Sequence, residues 1–325
     1  MLKRAKTMDS LAEMFDNHWE PHAKGSDFLS AFLDRTDYRT GGAKPASEDH
    51  PADADAELLA ELIGIDIERS WQWWKKEVQR KWEAARAART LPSPTVVPEL
   101  LSRFAELPGM EDYDQLTQSF SLSRDLRREI AQSECDARYH YGDSIGPPYF
   151  ASRFGLEVEP PTDYSVVLVS RTPLPAEAEP DPRDYFLRGC SILGRQRSSD
   201  PTPRVCEKRA SGNRLAIAPR WENIISREHL AIQLLSPDYA ILTNISSKNN
   251  VEILGTATEV RRRVLKPTES LLLDFPFVTE IGNLQTHFCR HWVHGRRPAA
   301  SSEGTQGAKP WEWPKPKSLF GPWPN

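Results

Sequence analysis

The polar residues spaced closely enough to act together fall in three blocks: Gly194-Arg195, Ser226-Arg227-Glu228-His229, and the run Asn244-Ile245-Ser246-Ser247-Lys248-Asn249-Asn250. The second block is open to three readings: a catalytic site, a binding site, or the polar punctuation of a β-sheet. A serine three residues before a histidine suggests a nucleophile and its base. Neither a Gly-x-Ser-x-Gly elbow nor a glycine-rich oxyanion loop goes with them, so hydrolysis is not expected. Metal chemistry fares no better. His18, Glu20 and His22 lie close together with no further ligand nearby and read as polar faces of a short helix, while Cys135, Cys190, Cys206 and Cys289 are far apart with no CxxC pair. Residues 1–150 hold no glycine-rich phosphate loop, metal-ligand cluster or recognisable triad, so the chain reads as a non-enzyme with no cofactor and no metal.

Charge favours binding. Between Tyr185 and Val293 there are 15 Lys and Arg against 10 Asp and Glu, a net of +5 in a chain whose total is −4, so the remainder carries −9. The part that holds the three blocks is where an anion would be drawn. Arg261, Arg262 and Arg263 follow one another in a strand-like run and are expected to face solvent, and nucleic acid is not an expected partner.

Composition bounds the scaffold. Hydrophobic residues make up 38% of 325 residues, with 27 prolines and a mean hydropathy of −0.59, which predicts one well-packed domain, a second weaker one and disordered ends. No run of about 18 apolar residues occurs, so no membrane association is expected. The start, MLKRAKTMDSLAEMFDNHW, lacks the apolar core of a signal peptide, and a cytoplasmic protein with reduced thiols is expected.

Along the chain, residues 1–55 read as a largely flexible segment with two short amphipathic stretches and a Gly/Pro/Asp/Ala linker. Residues 56–141 read as helical. Trp71, Trp74, Val78 and Trp82 recur at steps of three and four, placing an aromatic stripe on one helix face, where packing against neighbouring elements is the expected use. LPSPTVVP then ends that helix. Beyond Gly142 short β-branched runs such as YSVVLVSR, HLAIQLL, YAILTNI and SLLLDF alternate with Pro, Gly, Asn and Asp, the pattern of a β-sandwich over 160–295. The fold class is therefore α+β, with a Pro- and Trp-rich tail, 296–325, expected to be disordered.

In order and spacing the three blocks resemble the signature of the forkhead-associated (FHA) domain: a Gly-Arg, a Ser-Arg-x-His, and an Asn-Ile-Ser-Ser-x-Asn run followed by a glycine, for which Gly255 is placed. The resemblance spans about Tyr164 to Trp292. It implies a sandwich of about eleven strands whose loops at one end bind phosphothreonine peptides. Arg195, Ser226 and Arg227 then fall at the phosphate and Asn249 at the peptide backbone, with Ser247 and Lys248 placed for further contacts. Gly194, His229, Asn244 and Gly255 become structural residues of the motif. The chemistry agrees, because a planar guanidinium and a short hydroxyl suit a phosphate dianion and an amide offers a peptide both donor and acceptor.

The implied function is a phosphothreonine-peptide-binding adaptor in Ser/Thr kinase signalling, whose partner is a phosphorylated kinase or kinase substrate. The alternative is a scaffold with a degenerate FHA fold that binds partners without phosphate. Three departures from the pattern stand out: Asn250 in place of the usual glycine, LKPTESLLLDF in place of a Gly-Asp turn, and a long connection after Arg195 whose excess, Ser198–Asn213, reads as a loop insertion near the binding end.

Overall fold

The computed structural model describes residues 8–22, 25–35, 52–87, 96–141, 143, 145–171, 185–200, 206–209, 212–258 and 262–294. The 296–325 tail and Arg261 lie outside them. Among the described residues, seven α-helices come first: α1 (Met8–His18), α2 (Gly25–Arg35), α3 (Ala52–Ala87), α4 (Val96–Ala105), α5 (Asp114–Ser119), α6 (Arg124–His140) and α7 (Pro147–Phe154). Their boundaries follow local chemistry. Ser123 caps α6 by accepting the Leu126 N–H, and α7 begins on Pro147-Pro148 and ends on Gly155 at φ +67°, a left-handed position that favours glycine. None of the described helices is long and apolar enough to cross a membrane.

Two of these helices, α1 and α2, lie within the 1–55 segment read as largely flexible, and they bury Phe15, Leu29 and Leu33. His22 is not on a helix face. It follows α1, stacks on Phe28 at 4.4 Å and reaches buried Asp66 of α3, which also accepts hydrogen bonds from Trp19 at 2.6 Å and Tyr113 at 2.5 Å. That shared carboxylate ties the first segment to the long helix.

Twelve strands follow among the described residues: β1 (Asp163–Arg171), β2 (Tyr185–Leu187), β3 (Cys190–Arg195), β4 (Cys206–Arg209), β5 (Gly212–Ala218), β6 (Leu230–Leu234), β7 (Tyr239–Asn244), β8 (Val251–Thr256), β9 (Arg263–Leu265), β10 (Ser270–Asp274), β11 (Phe277–Ile281) and β12 (Leu284–His294). They form two six-stranded sheets, ordered β2-β1-β12-β11-β8-β9 and β10-β7-β6-β3-β5-β4. Every pairing is antiparallel except β3 with β5. Inward residues of the two sheets, among them Leu193, Leu230, Ile232 and Leu242 facing Val167, Ile253, Phe277 and Phe288, make the sandwich core. The Ser198–Asn213 stretch is not all loop. Its later part supplies edge strand β4 and the start of β5, paired from Cys206↔Leu215 to Arg209↔Gly212.

The helices of the 56–141 region and the strands of the 160–295 region pack on each other. Among the described residues, the core of the helical part takes in Ile241 and Leu272 of the second sheet and Leu235, just after β6. The tryptophan stripe explains this. Trp71, Trp74 and Val78 are buried, Trp74 Nε1 donates to the Leu235 carbonyl at 2.8 Å, and Trp82 meets Tyr239 with ring centroids 5.6 Å apart. Arg188, between β2 and β3, makes a second tie. Its guanidinium donates to the Asp143 carbonyl and lies over the Tyr139 ring of α6.

Candidate functional site

Gly194 and Arg195 end β3, at a register shift against β5. A Cβ built on Gly194 would fall inside the van der Waals radius of the Arg227 carbonyl and within 2.8 Å of the Ser226 carbonyl, so the 226–227 backbone lies directly on this residue. The approach is fixed by a hydrogen bond from the Arg195 N–H to the Ser226 carbonyl at 2.9 Å. Glycine here is a requirement of close packing.

His229 closes the same loop. Its N–H donates to the Leu193 carbonyl at 2.8 Å, its carbonyl accepts the Ile245 N–H at 2.9 Å, and its Nδ1 accepts the Ser226 backbone N–H at 3.0 Å. One residue, through two backbone bonds and its ring, thus joins β3, the 226–229 loop and the loop after β7. The lone pair that a general base would need is already engaged by Ser226's backbone, not by its hydroxyl, so the two residues are not arranged as a catalytic pair. Burial pushes the His229 pKa down to about 4, with the Asn249 backbone carbonyl opposing, and the ring is neutral near pH 7.

Asn244, fully buried, organises the third block. Its amide donates to the carbonyls of Asn249 and Leu265, each at 2.9 Å, and its side-chain oxygen accepts the Ser246 N–H at 3.0 Å. Ser246 Oγ donates to the Asn249 carbonyl at 2.6 Å. This ring of bonds leaves Ser247 and Lys248 exposed at the tip. Asn249 Nδ2 then reaches across to the Ile224 carbonyl at 2.5 Å, linking the third block to the loop that leads into the second.

The structure therefore brings together Gly194, Arg195, Ser226, Arg227, His229, Asn244, Ser247, Lys248 and Asn249 at one end of the sandwich. Gly255 is not with them. It lies in β8 of the other sheet, opposite Val278 and next to an irregularity in that pairing. Arg262, expected to face solvent, is exposed and pairs with Glu252.

Two contributors were not marked by the sequence. Arg214 of β5 has no exposed surface. It donates to the Arg195 carbonyl at 2.9 Å and to Asp200 at 3.0 Å, supporting the end of β3 from beneath. Burial alone would raise the Asp200 pKa, but the Arg197 N–H and the Arg214 guanidinium outweigh it and hold the carboxyl below its usual range. Arg197 also pairs with Glu228, so the start of the insertion is fastened to the second block. Arg220 is the other. Its carbonyl accepts from Arg195 Nη1 at 2.6 Å, which sets the direction of that guanidinium.

Among the described residues, Arg195, Arg220, Arg227 and Lys248 make no ion pair, and the Ser226 hydroxyl has no hydrogen-bond partner. Unneutralised cations beside free donors make this end of the sandwich chemically suited to an anion. No group of three or more His, Cys, Asp or Glu able to hold a metal occurs among the described residues.

No family model and no curated protein matches the chain. Among solved structures, the chain is similar to the FHA structure of Rv0020c, at 19% identity over 39% of this chain and 94% of that one with a TM-score of 0.24. It is similar to full-length yeast Pml1p, at 16% identity over 46% of this chain and 96% of that one with a TM-score of 0.28. It is also similar to the FHA domain of the CT664 protein from Chlamydia trachomatis, at 16% identity over 38% of this chain and 96% of that one with a TM-score of 0.22.

Proposed function

We propose that the sandwich end formed by Arg195, Ser226, Arg227, Ser247, Lys248 and Asn249 binds phosphothreonine peptides, and that the chain is a non-enzymatic adaptor in cytoplasmic Ser/Thr kinase signalling, its partner a phosphorylated kinase or kinase substrate. One observation carries this reading: among the described residues, Arg195, Arg220, Arg227 and Lys248, all on segments that meet at this end of the sandwich, make no ion pair, and the Ser226 hydroxyl has no hydrogen-bond partner. A phosphate dianion supplies three strong acceptor oxygens to such a set. Arg195 turns from the Arg220 carbonyl to the phosphate, exchanging a neutral acceptor for a charged one. Ser226 donates its hydroxyl at short range, and Arg227 and Lys248 add charge from the two flanking loops. Asn249, whose Nδ2 is held by Ile224, keeps its Oδ1 for a peptide N–H.

Titration calorimetry of the full chain with one peptide in phosphothreonine, phosphoserine and unmodified forms tests this. The phosphothreonine form binds and the unmodified form does not. Equal affinity for modified and unmodified peptide replaces this reading with that of a phosphate-independent scaffold.

A further inference from the structure

Helices α3 and α6 lie side by side, and small residues face each other at their seam. A Cβ built on Gly64 stands 4.0 Å from Ser133 Oγ and meets nothing nearer. Over this seam runs a groove of about 1090 Å³, bordered further by Pro161–Asp163 at the start of β1. Its apolar lining includes Ile65 and the buried Trp71 from α3, with Leu126 and the buried Ile130 from α6. The Trp71 indole N–H is buried without an acceptor among the described residues.

The rim is acidic. Glu57, Glu61 and Glu68 come from α3 and Glu129 and Asp136 from α6, and none of the five forms an ion pair among the described residues. Elsewhere in the helical part carboxylates do have cations: Asp16 with Arg69, Glu77 with Arg80, Glu99 with Lys81, Glu134 with Arg138. Desolvation holds the Asp136 carboxyl above its usual range, as expected for an acid that borders an apolar trough without a counter-ion. Steps of four and then seven residues separate the rim acids of α3, and one step of seven separates those of α6, about one and two turns. The lined part of α3, residues 57–72, is about 22 Å long at ~1.5 Å per residue.

We propose that this groove docks a basic amphipathic helix of a partner protein. The partner's apolar stripe lies along Ile65, Leu126 and Ile130, and its Lys and Arg, repeating at steps of four and seven, meet the two rows of carboxylates. The occupant is identified by charge complementarity and by helical spacing on both rims. This surface is separate from the cationic end of the sandwich and of opposite sign, so the two serve different partners.

The test is calorimetric titration of the full chain with a synthetic helix-forming peptide of about sixteen residues, matching the groove length, with Leu on one stripe and Lys at one- and two-turn steps beside it. A peptide with the same residues scrambled and one with Glu for Lys are the comparators. Two groove variants approach the claim differently: E61K/E129K reverses one carboxylate on each side of the rim, and Gly64→Leu fills the seam at a position with room for a side chain. Glu106→Lys, outside the groove, controls for overall charge. The amphipathic peptide binds and gains helical circular dichroism. Both comparators and both groove variants weaken binding by about tenfold or more, while Glu106→Lys stays within about twofold. Melting curves confirm that each variant folds. Absence of binding, equal binding of the scrambled peptide, binding without gain of helix, or affinity unchanged in both folded groove variants overturns the proposal.

Discussion

The backbone carbonyl of Arg227 occupies the space in which a side chain on Gly194 would have to begin. Because backbone, not a mobile side chain, fills that space, Gly194→Ala must push the 226–229 loop off β3 and stretch the Arg195-to-Ser226 hydrogen bond. The expected outcome is a loss of roughly 1–3 kcal/mol in stability, together with weaker phosphopeptide binding. Urea unfolding and peptide titration on the same sample check it; a variant with wild-type stability and affinity contradicts the close packing.

Arg195 and His229 both hydrogen-bond to the Ser226 backbone, yet their substitutions are expected to fail differently. Arg195→Ala removes a charged donor from a partly exposed position and, on the phosphopeptide reading, weakens phosphopeptide binding by roughly 1.5–3 kcal/mol with little change in melting temperature. His229→Ala leaves the Ser226 N–H without its acceptor inside the fold. It lowers stability by roughly 1–3 kcal/mol, and affinity falls only as folded protein is lost. Ser226→Ala should behave like Arg195→Ala. If Arg195→Ala lowers the melting temperature as far as His229→Ala does, the division of roles is wrong.

His229 also predicts an acid sensitivity. Its folded pKa of about 4 lies below the 6.5 of an unperturbed histidine, so between those values the unfolded chain binds a proton that the folded chain does not. Stability from this group is complete above about pH 6.5 and falls as pH drops toward 4, by up to roughly 3 kcal/mol. Urea midpoints measured across that interval should fall more steeply for the wild type than for His229→Gln, which cannot titrate. Parallel profiles for the two proteins would remove His229 as the cause.

What could be read from sequence was what the backbone dictates locally. Gly194, His229 and Asn244 each serve contacts formed within or between the three motif blocks, so their types and order carry the information. Partnerships across the chain left no such trace. Nothing in the run RLAIAP marks Arg214 as buried, because its acceptor is the Arg195 carbonyl and its counter-ion Asp200 lies in the stretch read as an insertion. The tryptophan stripe was visible as a stripe, but its partner, the Leu235 carbonyl, is 161 residues from Trp74. Periodicity identifies a face that must be covered, not the element that covers it.

That last contact makes the helical part a structural companion of the sandwich. Ile241 and Leu272 belong to the second sheet and Leu235 to the turn after β6, yet all three are buried in the core that α3 anchors. A fragment of residues 160–295 retains every residue assigned to the phosphate but exposes those three side chains and loses the donor to the Leu235 carbonyl. The fragment is expected to melt below the full chain and to associate at high concentration, through the apolar patch it uncovers. Within the full chain, Trp74→Phe keeps most of the packing and removes the hydrogen bond, for a cost of about 1 kcal/mol or somewhat more, while Trp74→Ala also opens a cavity and costs roughly 3–5 kcal/mol. Phosphopeptide affinity of the folded fraction should stay at the wild-type value in both variants, since the aromatic stripe supports the sheet without contributing to the ligand end. Thermal melting, light scattering and titration of the fragment and the two variants separate the possibilities. A fragment as stable and monomeric as the full chain would show that the helices merely adjoin the sandwich.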